Sequence, residues 1–269
     1  MESKKVLFVS QEITPYLPES ELSSISRMLP QAIQETGKEI RTFMPKYGNI
    51  NERRNQLHEV IRLSGMNLII DDTDHPLIIK VASIQAARMQ VYFIDNEEYF
   101  SRKSTVTDSK GRFYGDNDER MIFFARGVLE TVRKLRWSPD LVHCLGWFTS
   151  LVPLYIKKSY REDPLFSDSK VIFSVYDHGF DQALDESFAR KILVDGVTPD
   201  HVGLVEEPTY ENLIRLAARY SDGLNQGSAN LPGPVSRIIK QEDKPFLGYV
   251  NSEEYVDKFS GFYDKIINT

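Results

Sequence analysis

Asp177 and His178 stand side by side just past the apolar run at residues 171–176. They are the one adjacent acid and imidazole beyond such a run, and a carboxylate that neighbours an imidazole can hold or pass a proton near neutral pH. His143 lies near the end of a second apolar run, at residues 140–144, and is either a catalytic group or a satisfied structural histidine, a residue type often partly buried. Glu12 and Tyr16 follow a third run, at residues 6–9. Trp147 opens the next helical pattern, where an indole can stack on a sugar or pack into the core. Cys144 reads as a small buried hydrophobe, since no neighbour suggests an activated thiolate. Lys110, Arg112 and Arg120 read as a solvated face.

Positioning these groups requires strands that end beneath them. The run Val6, Leu7, Phe8, Val9 is apolar throughout, the pattern of a strand buried on both faces. A loop with Pro15 and Pro18 follows, then Leu22, Ile25, Met28, Leu29 and Ile33 at helical spacing. Strand, loop and helix make half of a βαβ unit, and in open parallel sheets ligands bind outside the carboxyl ends of strands. The first helix is expected to stop at Gly37. A strand is expected at 39–44, then four at 59–63, 66–70, 77–84 and 90–94, joined by short links that include 71–76. These four suggest a meander or paired hairpins at one edge of the sheet. Residues 99–115 are polar, with two glycines, and suggest a mobile loop.

A helix is expected over 118–135, capped by Asn117 or Asp116. A strand at 140–144, a helix at 147–158, a strand at 171–176, a helix at 209–220 and a short strand at 223–226 complete the alternation. Residues 180–207 show no clear pattern, and 230–234 reads as a loop. Asn251 and Glu254 have the spacing of a capping box. Beyond them Tyr255, Val256, Phe259, Phe262, Tyr263, Ile266 and Ile267 line one helical face. The class is α/β with a mainly parallel sheet.

The 269 residues are 41% apolar and carry a net charge of −6 with no basic stripe, which argues against a nucleic-acid partner. A single cysteine excludes an internal disulfide and a cysteine zinc site. The first apolar run is too short for a signal peptide and nothing approaches a membrane span, so a cytoplasmic protein without a membrane partner is expected. No metal site or cofactor is expected.

Seven stretches, in order, resemble the N-terminal half of bacterial glycogen synthases and plant starch synthases, which are GT-B glycosyltransferases. They are VLFVSQEITPY, LPQAI, MPKYG, VYFIDNEEYF, the long block DNDERMIFFARGVLETVRKLRWSPDLVHCLGWFTSLVPLYIK, and the weaker IFSVYDHG and RYSDGLNQGS. The resemblance runs from about Lys4 to Ser228, and the block from Asp116 to Lys157 is the specific part. It implies a Rossmann-like fold, transfer of glucose from ADP-glucose or UDP-glucose to an α-1,4-glucan, and an active site between two such domains. Glu12 and Tyr16 match family positions at the sheet's carboxyl edge.

Three departures bear on activity. The family's Lys-x-Gly-Gly-Leu motif, whose lysine pairs with donor phosphate, reads here Pro18, Ser20, Glu21 and Leu22. Two like unit charges 4 Å apart repel by about 1 kcal/mol in water and about 4 kcal/mol at an effective dielectric of 20, so Glu21 would oppose a diphosphate. The family's His-x-His-Asp-Trp-His keeps only its first histidine, His143, and its tryptophan, Trp147. Its Thr-Ile-His-Asn reads Ser174, Val175, Tyr176, Asp177, with His178 two places beyond the matching histidine. About forty residues follow Ser228, fewer than the ~100 of a second Rossmann-like domain.

The expectation is therefore one glycogen/starch-synthase N-terminal-like domain over 1–269, without the C-terminal glycosyltransferase domain and closed by a helix at 251–267. By resemblance it is a glycosyltransferase with little or no transfer alone, a pseudoenzyme of carbohydrate metabolism. Two alternatives stand beside this: a non-catalytic module that binds glucan or nucleotide, and a half-enzyme completed by a separate chain. Candidate partners are a nucleotide-sugar, an α-glucan, and a second copy or partner chain.

Overall fold

The structure is a computed structural model that describes residues 3–269. Its ten strands are β1 (Lys5–Ser10), β2 (Glu39–Pro45), β3 (His58–Glu59), β4 (Met66–Ile70), β5 (Thr73–Ile84), β6 (Met89–Asp95), β7 (Leu141–Leu145), β8 (Lys170–Val175), β9 (Gly223–Gln226) and β10 (Phe246–Leu247). The helices are α1 (Glu21–Glu35), α2 (Glu97–Phe100), α3 (Asn117–Leu135), α4 (Leu151–Lys158), α5 (Phe188–Lys191), α6 (Pro199–Val202), α7 (Tyr210–Tyr220), α8 (Gly233–Gln241) and α9 (Tyr255–Ile267).

The sheet runs β10-β9-β8-β7-β1-β2-β6-β5-β3, with β4 paired to β5 outside this path. Pairing is parallel from β10 through β6 and antiparallel where β5 meets β6, β3 and β4. This is the α/β class with a mainly parallel sheet and a hairpin addition at one edge. Because β1 is flanked by β2 and β7, the strand order reverses between β1 and β7. The crevice outside their carboxyl ends is the place such sheets offer a ligand.

Both faces of the sheet are covered, which is why the inner strands read as unbroken apolar runs. Leu7 and Val9 of β1 join one core with Val142, Phe173 and residues of α3, α4 and α7. Val6 and Phe8 join a second core with Leu141, Ile172, α1 and α9. The last helix therefore packs on its own chain, beside α1 and over β1, β7 and β8.

Several local readings need correction. The run 59–63 is a strand only at His58–Glu59; it turns at once, with Leu63 N–H donating to Val60 O at 2.9 Å. The link expected at 71–76 shrinks to Asp71 and Asp72, both in the left-handed region (φ 47° and 62°), and β5 begins at Thr73. Asn251 does not cap α9: its carbonyl side chain accepts from Glu253 N–H at 3.1 Å, and Glu254 holds the cap position without a side-chain bond. Helix α8 begins at Gly233, inside the loop expected at 230–234, and runs to Gln241. Arg120 is not solvated but fully buried in α3.

Candidate functional site at the carboxyl edge of the sheet

The loop after β1 is pinned to the loop after β7. Gln11 N–H donates to Leu145 O at 3.1 Å, and its side-chain carbonyl accepts from Phe148 N–H at 3.2 Å. Gly146 permits this approach. It sits at φ 88°, and a Cβ there would lie 2.9 Å from both the Gln11 amide oxygen and Leu22.

Helix α1 begins in a closed capping box. Ser20 Oγ accepts from Ser23 N–H at 3.0 Å, and Ser20 N–H donates to Ser23 Oγ at 2.8 Å. Glu21 places a carboxylate in the first turn, where the positive end of the helix dipole favours it. Ser20 Oγ also donates to Glu12 Oε2 at 3.2 Å. Burial raises the Glu12 carboxyl above its ordinary range, and the Ser20 hydrogen bond and the nearby His178 only partly oppose this.

Asp177 and His178 close the other side. His178 Nδ1 lies 2.6 Å from Asp177 Oδ1, with the two side chains 62% and 46% exposed respectively. Ser228, just after β9, accepts from Asp177 N–H and donates to Asp177 Oδ1, each at 3.2 Å. The structure thus gathers Glu12, Ser20, Asp177 and His178 at one edge.

Trp147 is buried there too. Its ring meets Phe180 at 4.8 Å and Phe113 at 6.0 Å, and Phe180 stacks on Phe113 at 5.1 Å. Phe113 and Phe180 are themselves half-buried, and with Tyr114, Asp108, Asp181 and Gln182 they line a cleft of about 740 Å³. Tyr16 packs edge-on against Phe93 at 4.9 Å, and burial pushes its phenol up to about 12. Pro18 is exposed.

His143 is elsewhere. It lies within β7 on the α9 side, fully buried, with Nδ1 2.6 Å from the Tyr263 hydroxyl and Nε2 2.7 Å from Ser174 Oγ. Desolvation lowers its imidazole to about 3. Cys144 beside it is buried and its thiol is pushed up by the same cause.

The starch synthase catalytic domain family matches residues 5–232, most of this chain. The chain belongs to that family. Glycogen synthase of Chlorobium limicola is 34% identical over 92% of this chain and 52% of its own length. Glycogen synthase of Chlorobium phaeobacteroides is 40% identical over 97% of this chain and 58% of its own. The chain spans about half the length of the curated relatives it matches. A solved structure of the catalytic domain of starch synthase IV from Arabidopsis thaliana, bound to ADP and acarbose, superposes with a TM-score of 0.74. It is 16% identical and covers 93% of this chain and 52% of its own, which establishes a shared fold.

As a member of this family the chain holds features that its sequence did not signal. Ser228, which ties Asp177 down, follows a strand of four residues, too short for its periodicity to mark a strand end. Arg120 lies among the rings of Phe100, Tyr114, Tyr47 and Phe148, donating to Tyr99 O at 2.8 Å and Asn117 Oδ1 at 2.6 Å. Desolvation lowers its guanidinium to about 10. The Tyr47 hydroxyl beside it is buried without a hydrogen-bond partner. The polar stretch expected to be mobile is held by Arg102 Nη1 to Asp116 at 2.8 Å and by Asn117 Nδ2 to Val106 O at 2.8 Å. Among the described residues no helix is long and apolar enough to cross a membrane.

Proposed function

We propose that these 269 residues form a glycogen/starch-synthase N-terminal-like unit, closed by α9, that binds α-glucan at its carboxyl edge and by itself transfers little or no glucose from a nucleotide sugar. The capping box at the start of α1 carries this reading. A helix N-terminus offers free N–H groups and a positive dipole end to phosphate. Here the capping box takes up the Ser20 and Ser23 N–H groups, and Glu21 brings its own negative charge to the same turn. Glu12 and Asp177 add two more carboxylates at the same edge, and Pro18 stands where the family's phosphate lysine would be.

Such an edge disfavours a diphosphate and suits a neutral polyol. Carboxylates accept from sugar hydroxyls, and the rings of Phe113 and Phe180 offer apolar faces to a pyranose. The starch synthase IV relative was bound to both ADP and acarbose, so both ligand classes are the natural probes. A cytoplasmic setting accords with this reading.

Calorimetric titration with maltoheptaose, ADP-glucose and UDP-glucose tests it, alongside incorporation of radiolabelled glucose into glycogen. Saturable heat from maltoheptaose, none from the nucleotide sugars and no incorporation above a no-enzyme control are expected. Incorporation well above that control, or tight nucleotide-sugar binding, would overturn the proposal.

A further inference from the structure

A second polar cleft, of about 590 Å³, opens at the opposite end of the sheet, where β2 and β6 begin and β5 ends. Lys38, Arg41 and Arg88 line it together with Glu39, a positive balance in a chain of net charge −6. Lys38 is already engaged, with Nζ 3.3 Å from Asp264 Oδ1. Arg41 and Arg88 are not saturated. Among the described residues no ion pair engages the Arg88 guanidinium, and its exposed side chain springs from a left-handed residue (φ 51°) at the cleft rim.

Arg41 is oriented from behind. Its Nη1 donates to the Tyr92 hydroxyl at 2.8 Å, and its guanidinium lies 5.2 Å from the Trp137 ring. That leaves the Nε–Nη2 side of the fork, the edge that grips two oxygens of one anion. Nε is buried with no partner, and Nη2 has only Glu39 at 4.0 Å, beyond hydrogen-bond reach. The Gln34 amide oxygen beside the cleft is also buried and unpaired, and Gln85, Gln90 and Ser83 supply further amide and hydroxyl groups.

We infer that this cleft is a binding site for a phosphate group, held bidentately by Arg41 and closed over by Arg88. The unpaired buried Arg41 donor is what such a phosphate would satisfy, while a hydroxyl of the group that carries it would donate to the Gln34 oxygen. The cleft lies within the size range of small-molecule sites, and its amides match sugar hydroxyls, so the phosphate can be free or carried on a hexose. The site is separate from the carboxyl-edge glucan reading and does not depend on it.

Calorimetry on the whole 269-residue protein, with inorganic phosphate and with glucose 6-phosphate at matched ionic strength, tests the inference; neutral glucose is the control. Saturable binding of either phosphate is expected, with quenching or enhancement of tryptophan emission through Trp137, and the tighter of the two names the source. Arg88→Glu, on an exposed side chain, is expected to weaken binding by about tenfold or more, and so is Arg41→Lys, which keeps the charge and loses the fork. No saturable binding of either compound up to about 10 mM would overturn the inference, since that excludes even the weak millimolar range. Affinity left unchanged by both substitutions would overturn it as well.

Discussion

The hydroxyl of Tyr263 in α9 lies 2.6 Å from Nδ1 of His143 in β7, deep beneath the last helix. The bond is the first link of a buried chain whose direction can be read. Asn225 Nδ2 donates to the carbonyls of Leu247 and Gly248 at 3.1 and 3.3 Å, so its Oδ1 must be the group that faces Ser174. Ser174 Oγ donates to that oxygen at 2.7 Å and accepts from His143 Nε2 at 2.7 Å. Nδ1 then carries no proton and accepts from Tyr263. The chain joins α9 to β7, β8, β9 and the end of β10, and it gives His143 a structural task. Inside a low-dielectric core such a network holds a single arrangement only while every member is satisfied.

Removing the first donor should therefore register as stability. Tyr263→Phe leaves the His143 Nδ1 acceptor buried and unpaired, an expected cost of about 1–3 kcal/mol. Urea denaturation measures it, with Tyr255→Phe, at the near end of the same helix, expected to stay within about 0.5 kcal/mol of the parent. A Tyr263→Phe protein as stable as the parent would remove the network from any account of α9.

The same histidine sets a pH dependence. Its folded imidazole is depressed to about 3, whereas in the unfolded chain it titrates near 6.5. Below 6.5 the unfolded state binds a proton that the folded state refuses. The His143 contribution is thus complete above pH 6.5 and is lost on acidification towards pH 3, by about 1.4 kcal/mol per pH unit. Glu12, raised by burial, works in the opposite sense. Denaturation free energies from pH 7 to 4 should show a shallower acid loss in His143→Gln than in the parent, by about one proton's slope. Parallel curves would show that His143 does not titrate in this way.

The alternation that made the class legible was unusually direct. Val6 to Val9 reads as a doubly covered strand because α1 and α9 cover one face and α3, α4 and α7 the other. The helix 118–135 was equally plain. What escaped was set by tertiary contact rather than by period. Val60 and Leu63 look like strand residues because both turn inward, yet Val60 N–H reaches Ile79 O at 2.8 Å and the chain then bends away. Helix α8 opens on Gly233-Pro234, a pair that reads as a loop until the fixed φ of proline at a first helical turn is considered. At the site, Glu12, Asp177 and His178 were visible as strand-end polar groups. The Ser20–Ser23 box was not, since serine three residues on is weaker than the glutamate that usually signals it. Arg120 was read as solvated because nothing in its own helix shows that four aromatic rings from other segments enclose it.

The α1 cap makes a claim about nucleotide exclusion that can be reversed by substitution. Pro18→Lys with Glu21→Gly restores a cation and removes a carboxylate beside the helix N-terminus. Each charge is worth about 0.3–1 kcal/mol to an anion placed there, so the pair should raise ADP affinity several-fold, from undetectable to weak. Adding Ser23→Ala, which frees the Ser20 N–H, should raise it again. Calorimetry with ADP reads both steps; no gain in either protein would locate the loss of phosphate binding elsewhere.

The aromatic cleft makes a parallel claim for glucan. Phe180 stacks on Phe113 and caps Trp147 while remaining partly open to solvent. Phe180→Ala removes an apolar face from the cleft, and the expected result is a loss of maltoheptaose affinity of about tenfold, a single good ring contact being worth about 0.5–1.5 kcal/mol beyond its buried area. Circular dichroism should be unchanged. Undiminished affinity would move the sugar away from this cleft.

Helix α9 supplies the last prediction, since its apolar face had to be covered by something. In the structure Phe259 is 1% exposed, its ring 5.7 Å from His143 and 5.9 Å from Tyr263, and Phe262, Tyr263 and Ile266 share one core with Val6, Phe8 and Leu29. The cover is the chain's own sheet. Phe259→Ala leaves a cavity there at a cost of about 3–5 kcal/mol. At about 2–4 °C per kcal/mol for a chain of this size class, the Tm should fall by roughly 10 °C. A helix that packs within its own chain also makes Tm independent of concentration, because no association is lost on dilution. The parent protein's Tm, followed by differential scanning fluorimetry over about a hundredfold dilution, should stay level. A steady decline would show that association between chains contributes to the folded state and that intramolecular packing of α9 is not the whole of its stabilisation.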